Sequence, residues 1–314
     1  MSFDRQTTLR APLSVEGVGV HSGAPARICL KPSSANSGIV FLRKDRDSGT
    51  SQIIHARYNM VSAAELCTVI GDKSGASVAT IEHLLSACAG LGLDNVLVEI
   101  DGPEMPIMDG SAACFVEAIE STGLVALAAA RRFIRVLQPV RIEKGRGFAE
   151  LLPFDGGFRL DVEIDFDTPL IGRQRKVFDA EPAAYVEEIA RARTFGFMRD
   201  VEQLWKAGFA LGASLENTVA IGDDRIVNPE GLRYADEFVR HKVLDAIGDL
   251  ALAGYPILGE FRSYCGGHRM NVQILEALFA DRANYSIVEG IAPAAPRAVQ
   301  MAAASSVAFA PDVR

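Results

Sequence analysis

Hydrophobic and polar positions alternate strictly from Phe158 to Phe166: Phe158, Leu160, Val162, Ile164 and Phe166 interleave with Arg159, Asp161, Glu163 and Asp165. That period of two predicts a strand with one buried face. Residues 236–252 follow a helical period instead, with Val239, Val243, Ala246, Ile247 and Leu250 on one face, and form the strongest predicted helix. A second amphipathic helix is predicted after Thr80, its expected N-cap, because Ile81, Leu84, Leu85 and Cys88 fall at i, i+3, i+4 and i+7. Gly90 or Gly92 should end it.

Between Thr7 and Lys44, β-rich stretches at 13–20, 27–30 and 38–43 are separated by Gly, Pro, Ser and Asn, so the chain begins as a sheet. Another β-rich piece at 66–70, a strand at 95–100, a Gly/Pro loop at 101–111 and a helix with Ala112, Phe115, Val116 and Ile119 inward complete an α+β unit. The Ala-rich stretch 125–130 marks a change of texture, and new strands begin near Phe133. The expected division is therefore 1–127, 128–290 and an Ala/Pro/Ser-rich tail, 291–314, to which no function is assigned. The second unit should hold a helix at 183–191, an insertion at about 194–227 with a short helix at 201–207 and a β-like end at 217–227, a strand at 257–264 and a last helix at 271–280.

A chain of 314 residues fits two such units. Forty acidic residues against thirty-two Lys and Arg give a net charge of −8, a poor footprint for sequence-independent nucleic-acid binding. A local basic patch for an anionic small molecule stays open. The five cysteines are scattered without a C-x-x-C pair, as expected of reduced thiols in the cytoplasm. Residues 1–10 lack the apolar core of a secretory signal and no run nears the ~20 apolar residues of a membrane span, so a soluble protein without a membrane segment is expected. Oligomeric state is not legible, and a monomer is compatible.

At 100° per residue, His241, Asp245 and Asp249 share one face of the strongest helix, roughly opposite its apolar stripe. His at i and Asp at i+4 can give one nitrogen and one oxygen to a single Zn²⁺, or form a solvated ion pair. Glu82 and His83 adjoin on the helix after Thr80, where they can supply a general base and a third ligand, or be an exposed pair suited to a helix start. Two of only five histidines thus sit beside acidic residues, one in each unit, as a metal site between the units requires. His268, after Gly266 and Gly267 in an expected flexible turn, can act as a general acid with Asp249 holding it protonated. His21 and His55 read as structural. Gly17, Gly19 and Gly23 are no dinucleotide fingerprint, since they lead into strand-like residues.

Five segments, Gly17 to Gly23 (Gly-Val-Gly-Val-His-Ser-Gly), Thr80 to Leu84 (Thr-Ile-Glu-His-Leu), Pro106 to Ser111 (Pro-Ile-Met-Asp-Gly-Ser), Ala192 to Phe195 (Ala-Arg-Thr-Phe) and Asp236 through Asp249, resemble the UDP-3-O-acyl-N-acetylglucosamine deacetylase family. The likeness runs in order from about Thr8 to Phe279. It implies two domains of similar topology, each a sheet backed by helices, packed as a β-α-α-β sandwich with the active site between them. It also implies a zinc amidase of lipid A biosynthesis that removes the 2-N-acetyl group of a UDP-linked, 3-O-acylated glucosamine. By this likeness His83, His241 and Asp245 hold Zn²⁺, Glu82 is the general base, and Thr194 donates to the oxyanion. His268, oriented and kept cationic by Asp249, stabilises that charge and protonates the leaving nitrogen, with Glu82 the alternative source of that final proton.

The same resemblance assigns Phe195, Phe197, Asp200 and the insertion to Leu215 to nucleotide and acyl contacts, Lys242 to the diphosphate region, and Cys67 to the metal's surroundings. The chain departs from the family where Cys265 and Gly147 stand at positions that many members fill with basic residues; Arg262, Arg269, Lys144 or Arg146 are candidate substitutes. The competing readings are a zinc amidohydrolase acting on another acylated amino sugar and a silent ligand-binding relative.

Overall fold

The computed structural model describes residues 4–44, 50–72 and 75–290. The expected tail, 291–314, lies outside the described residues. Helices α1 (Glu82–Leu91), α2 (Ala113–Thr122), α3 (Pro182–Glu188), α4 (Val201–Lys206), α5 (Glu237–Leu250) and α6 (His268–Ala280) combine with two main sheets into an α+β fold.

The first sheet orders its strands Leu13–Val18, Pro25–Pro32, Val96–Ile100, Ile39–Lys44 and Ser51–His55. Its neighbours are antiparallel except the central pair, Ile39–Lys44 with Val96–Ile100. Ile28, Leu30, Phe41, Ile54, Val96 and Val98 are buried in one core with Leu84, Leu85 and Cys88 of α1 and Phe115 and Ile119 of α2. The alternating and helical periods of the sequence therefore converge on one apolar layer.

The second sheet is built on Ile257–Tyr264, which pairs antiparallel with Gly147–Leu152 and parallel with Phe158–Asp165 and Arg132–Val136. Along Phe158–Asp165, Leu160, Val162 and Ile164 are buried, while Arg159, Asp161 and Glu163 pair with Asp179, Arg175 and Arg173 of the edge strand Arg173–Asp179. Helices α5 and α6 lie against this sheet and α1 packs on α5, giving the order sheet, helices, helices, sheet. The close approach of α1 and α5 depends on Gly248, since a Cβ there would stand 2.0 Å from the Glu82 carbonyl oxygen.

Several local expectations are corrected. Thr80 does not cap α1: the N-cap is Ile81 in the right-handed region, without a side-chain cap. Thr80 instead takes φ 58° and donates its hydroxyl to Glu104, 3.1 Å away. That conformation is strained for a β-branched residue. Helix α1 ends at Gly92, whose φ of 73° is the left-handed C-cap expected of glycine. The Ala-rich stretch is the strand Leu124–Ala130, paired antiparallel with Arg5–Leu9, because small side chains suit its half-buried position. The β-rich pieces at 66–70 and 217–227 contract to Val69–Gly71 and Val219–Ile221. Helix α6 starts at His268 rather than 271, so His268 is not in a flexible turn. Among the described residues no helix is long and apolar enough to cross a membrane.

Candidate active site between the helical layers

The site forms where the first turn of α1 meets the middle of α5. His83 of α1 and His241 and Asp245 of α5 are all buried, and their ligand atoms lie within 4.8 Å of one another. Asp245 Oδ1 is 3.3 Å from His241 Nε2 and 3.7 Å from His83 Nε2, yet it has no hydrogen-bond partner among the described residues. Leaving a buried carboxylate oxygen unpaired is costly. Donors held around a tetrahedral cation at about 2.0–2.1 Å stand about 3.3 Å apart, so this arrangement fits a metal ion in place of the missing hydrogen bond.

The candidate ligand set is oriented from outside. The His241 Nδ1 lies 3.0 Å from the Ala192 carbonyl, which fixes the ring with Nε2 toward the cluster. Lys242 donates to Asp245 Oδ2 at 2.8 Å. Burial pushes His241 down to about 3 and lowers His83, so both imidazoles are neutral and able to ligate. Burial alone would raise Asp245, but His241, Lys242, His268 and His83 overcome it and hold the carboxyl well below the usual range. A divalent cation needs this pattern of neutral imidazoles and ionised carboxylate.

Glu82 and His268 face the same space. His268 Nε2 lies 3.9 Å from Glu82 Oε1 and 4.0 Å from Asp245 Oδ2, and its Nδ1 is 2.9 Å from Asp249 Oδ2. Burial opposes charge on His268, but Asp249, Asp245 and Glu82 prevail and raise it to about 10. Burial pushes the Glu82 carboxyl up to about 8, against the charge of His268 and with that of Asp249 and Asp245. The face of α5 opposite its apolar stripe is thus not solvated. It is covered by α1 and α6, and His241, Asp245 and Asp249 are as buried as the stripe.

Thr194 immediately precedes the short strand Phe195–Phe197, its N–H donating to Gly110 and its carbonyl accepting from Val219, two residues beyond the carbonyl that orients His241. Phe195 stacks edge-on to Phe238 and His241 and lies beneath the Lys242 ammonium, which is 5.3 Å from its ring centroid. Phe197 meets Phe166. Asp200 is exposed at the start of α4 and Leu215 is 41% exposed, both on the insertion and outside the buried cluster. Cys67 is buried beside Glu82, and burial drives its thiol up to about 12, so it is inert.

Gly147 is buried, and a Cβ there would lie 2.9 Å from the Cys265 carbonyl oxygen, which leaves no room for a basic side chain without a shift. Of the candidate substitutes, Arg262, Arg269 and Arg146 are already paired with Glu260, Glu65 and Asp165.

Two hydrogen-bond partners of the candidate site had no sequence signal. Thr68 donates its N–H to Glu82 Oε2 at 3.1 Å and its hydroxyl to Asp249, joining the two carboxylates. Asn271 donates to Asp249 Oδ2 at 2.9 Å. His21, read as structural, lies on a turn whose carbonyls bind the insertion, with Leu211 donating to His21 and Gly212 to Val20.

The sequence profile of the UDP-3-O-acyl N-acetylglycosamine deacetylase family matches residues 6–280. The UDP-3-O-acyl-N-acetylglucosamine deacetylases of Brucella ovis, Brucella suis and Brucella melitensis are each 51% identical to this chain over 286 residues, covering 90% of it and 98% of the relative. A match of this extent, over a fold that gathers the family's motif residues into one buried cluster, places the chain in the UDP-3-O-acyl-N-acetylglucosamine deacetylase family.

Proposed function

We infer that this protein hydrolyses the 2-N-acetyl group of a UDP-3-O-acyl-N-acetylglucosamine to acetate and the free amine, a step of lipid A biosynthesis, using a zinc ion held by His83, His241 and Asp245. The observation that carries the reading is the unpaired Asp245 Oδ1 beside two neutral imidazoles, with Glu82 and His268 facing it. Zinc bound there would polarise the amide carbonyl and make water more acidic.

The chain's own groups then divide the proton work. Glu82, anchored by the Thr68 N–H, takes in its ionised form a proton from the attacking water as the water's oxygen bonds to the carbonyl carbon. His268, kept cationic by Asp249, faces the developing negative charge and supplies a proton to the nitrogen as the carbon–nitrogen bond breaks. The Thr194 hydroxyl is assigned as a further donor to the oxyanion. Lys242, Phe195, Phe197, Asp200 and Leu215 are assigned to the nucleotide and acyl chain, with the ammonium toward the diphosphate. Cys67 packs the site's wall. We also propose the division into units 1–127 and 128–290, each supplying part of this site.

Acetate release tests the reading. The 3-O-acylated UDP sugar should be turned over far faster than its non-acylated parent, and equal rates would point to another acylated amino sugar as substrate.

A further inference from the structure

A cavity of about 160 Å³ lies between the helical layers, toward the end of α1 away from His83. Gly90 lines it, seven residues beyond His83 and about 10 Å further along the helix axis. Its apolar wall is made by Ile39 of the first sheet, Ala89 of α1 and Leu93 just after it, facing Phe133, Phe158 and Ile257 of the second sheet, Tyr185 of α3 and Leu250 of α5. The deacetylation described above uses none of them. A space this large is comparable to engineered cavities that bind benzene, and leaving its walls without contacts is destabilising.

The polar side of the cavity carries Arg57, Arg131 and Arg132 with two carboxylates, Asp94 and the exposed Glu181. Arg131 is tied to Asp94 at 2.8 Å and Arg132 to Glu289 at 3.0 Å. Arg57 differs: it is half-buried, reaches the Ala253 carbonyl at 3.3 Å, lies 5.5 Å from the Tyr255 ring centroid, and has no carboxylate partner among the described residues. Gly254 makes its position possible, since a Cβ there would collide with the guanidinium. A guanidinium with free donors beside an apolar chamber is suited to a carboxylate attached to a short hydrocarbon.

We propose that this cavity is a second ligand site, taking a short-chain amphiphilic carboxylate with its chain among Phe133, Phe158 and Tyr185 and its head on Arg57. Because the wall joins both layers, such a ligand stabilises their contact without entering the metal site. The proposal does not rest on the deacetylase reading.

The probes are octanoate and its neutral counterpart 1-octanol, titrated into the full metal-loaded chain by calorimetry and thermal shift. Octanoate should bind saturably, raise Tm, and bind about tenfold tighter than 1-octanol. Arg57→Gln should abolish that tenfold difference while leaving octanol binding and acetate release intact. Ala180→Phe, at the cavity wall, should remove both ligands and keep turnover. Should Ala180→Phe not fold, a crystal soaked with 8-bromooctanoate gives an independent answer, with a bromine peak expected among Phe133, Phe158 and Tyr185. Absence of saturable binding, equal affinity for octanoate and octanol, or a bromine peak confined to the metal site would overturn the proposal.

Discussion

Asp249 is fully buried, and its two oxygens accept from Thr68, Asn271 and His268, so its charge is spent on holding one imidazole in orientation and protonation state. His268 is raised above its ordinary value, so its cationic form persists at neutral pH and is lost as pH climbs through the raised value. Asp249→Asn removes the main charge that raises it. The alkaline limb of kcat/KM should therefore move to lower pH in this variant, and a limb that stays in place would remove His268 from the proton work. Glu82→Gln should retain one metal per chain while turnover falls about 10²- to 10⁴-fold, read as metal content and rate on one sample. That His83, His241 and Asp245 gather at one place was legible from a combination of signals, the i, i+4 spacing that puts His241 and Asp245 on one helix face and the scarcity of histidines, while their roles and that of Glu82 came from the resemblance. Thr68, Asn271 and the Ala192 carbonyl were not. They meet their partners across 181, 22 and 49 positions of the chain, and a Thr, an Asn or a backbone carbonyl carries no spacing pattern that marks such a role.

At the scale of elements, the site exists because α1 and α5 touch. Gly248 faces the Glu82 carbonyl with no room for a methyl group, although alanine is the better helix former by about 1 kcal/mol. Gly248→Ala should thus lose stability by about 1–3 kcal/mol despite the gain in propensity, and should weaken metal binding by displacing His83 relative to His241. Chemical denaturation and metal titration together check this; unchanged stability and affinity would mean the helices have slack. The alternation of Phe158–Asp165 survived into the structure because burial of one face enforces it, whereas α5 is helical as its period predicts but is buried on nearly every side. The strand Leu124–Ala130 escaped because alanines carry little strand signal, and its pairing with Arg5–Leu9 is a long-range contact. Thr80 escaped for a different reason: its hydroxyl is drawn to Glu104, whose carboxylate also accepts from the His21 and Ser22 N–H groups.

Across the whole molecule, the two layers meet in a seam with different chemistry along its length: a buried cluster of imidazoles and carboxylates around the first turn of α1, and an apolar chamber with the Arg57 guanidinium at its edge beyond the last turn. The layered architecture was legible from the resemblance and its α+β content from the texture of the sequence, but the chamber was not, since a void leaves no mark in a pattern of residues. The central claim is that one cation is gripped by side chains of both layers. Anomalous diffraction at the zinc edge, on crystals of the chain purified without added metal, tests it directly. The account predicts a single peak within about 2.0–2.3 Å of one nitrogen each of His83 and His241 and an oxygen of Asp245. A peak elsewhere, or a site filled by a salt bridge with no metal at full occupancy of the protein, would contradict it.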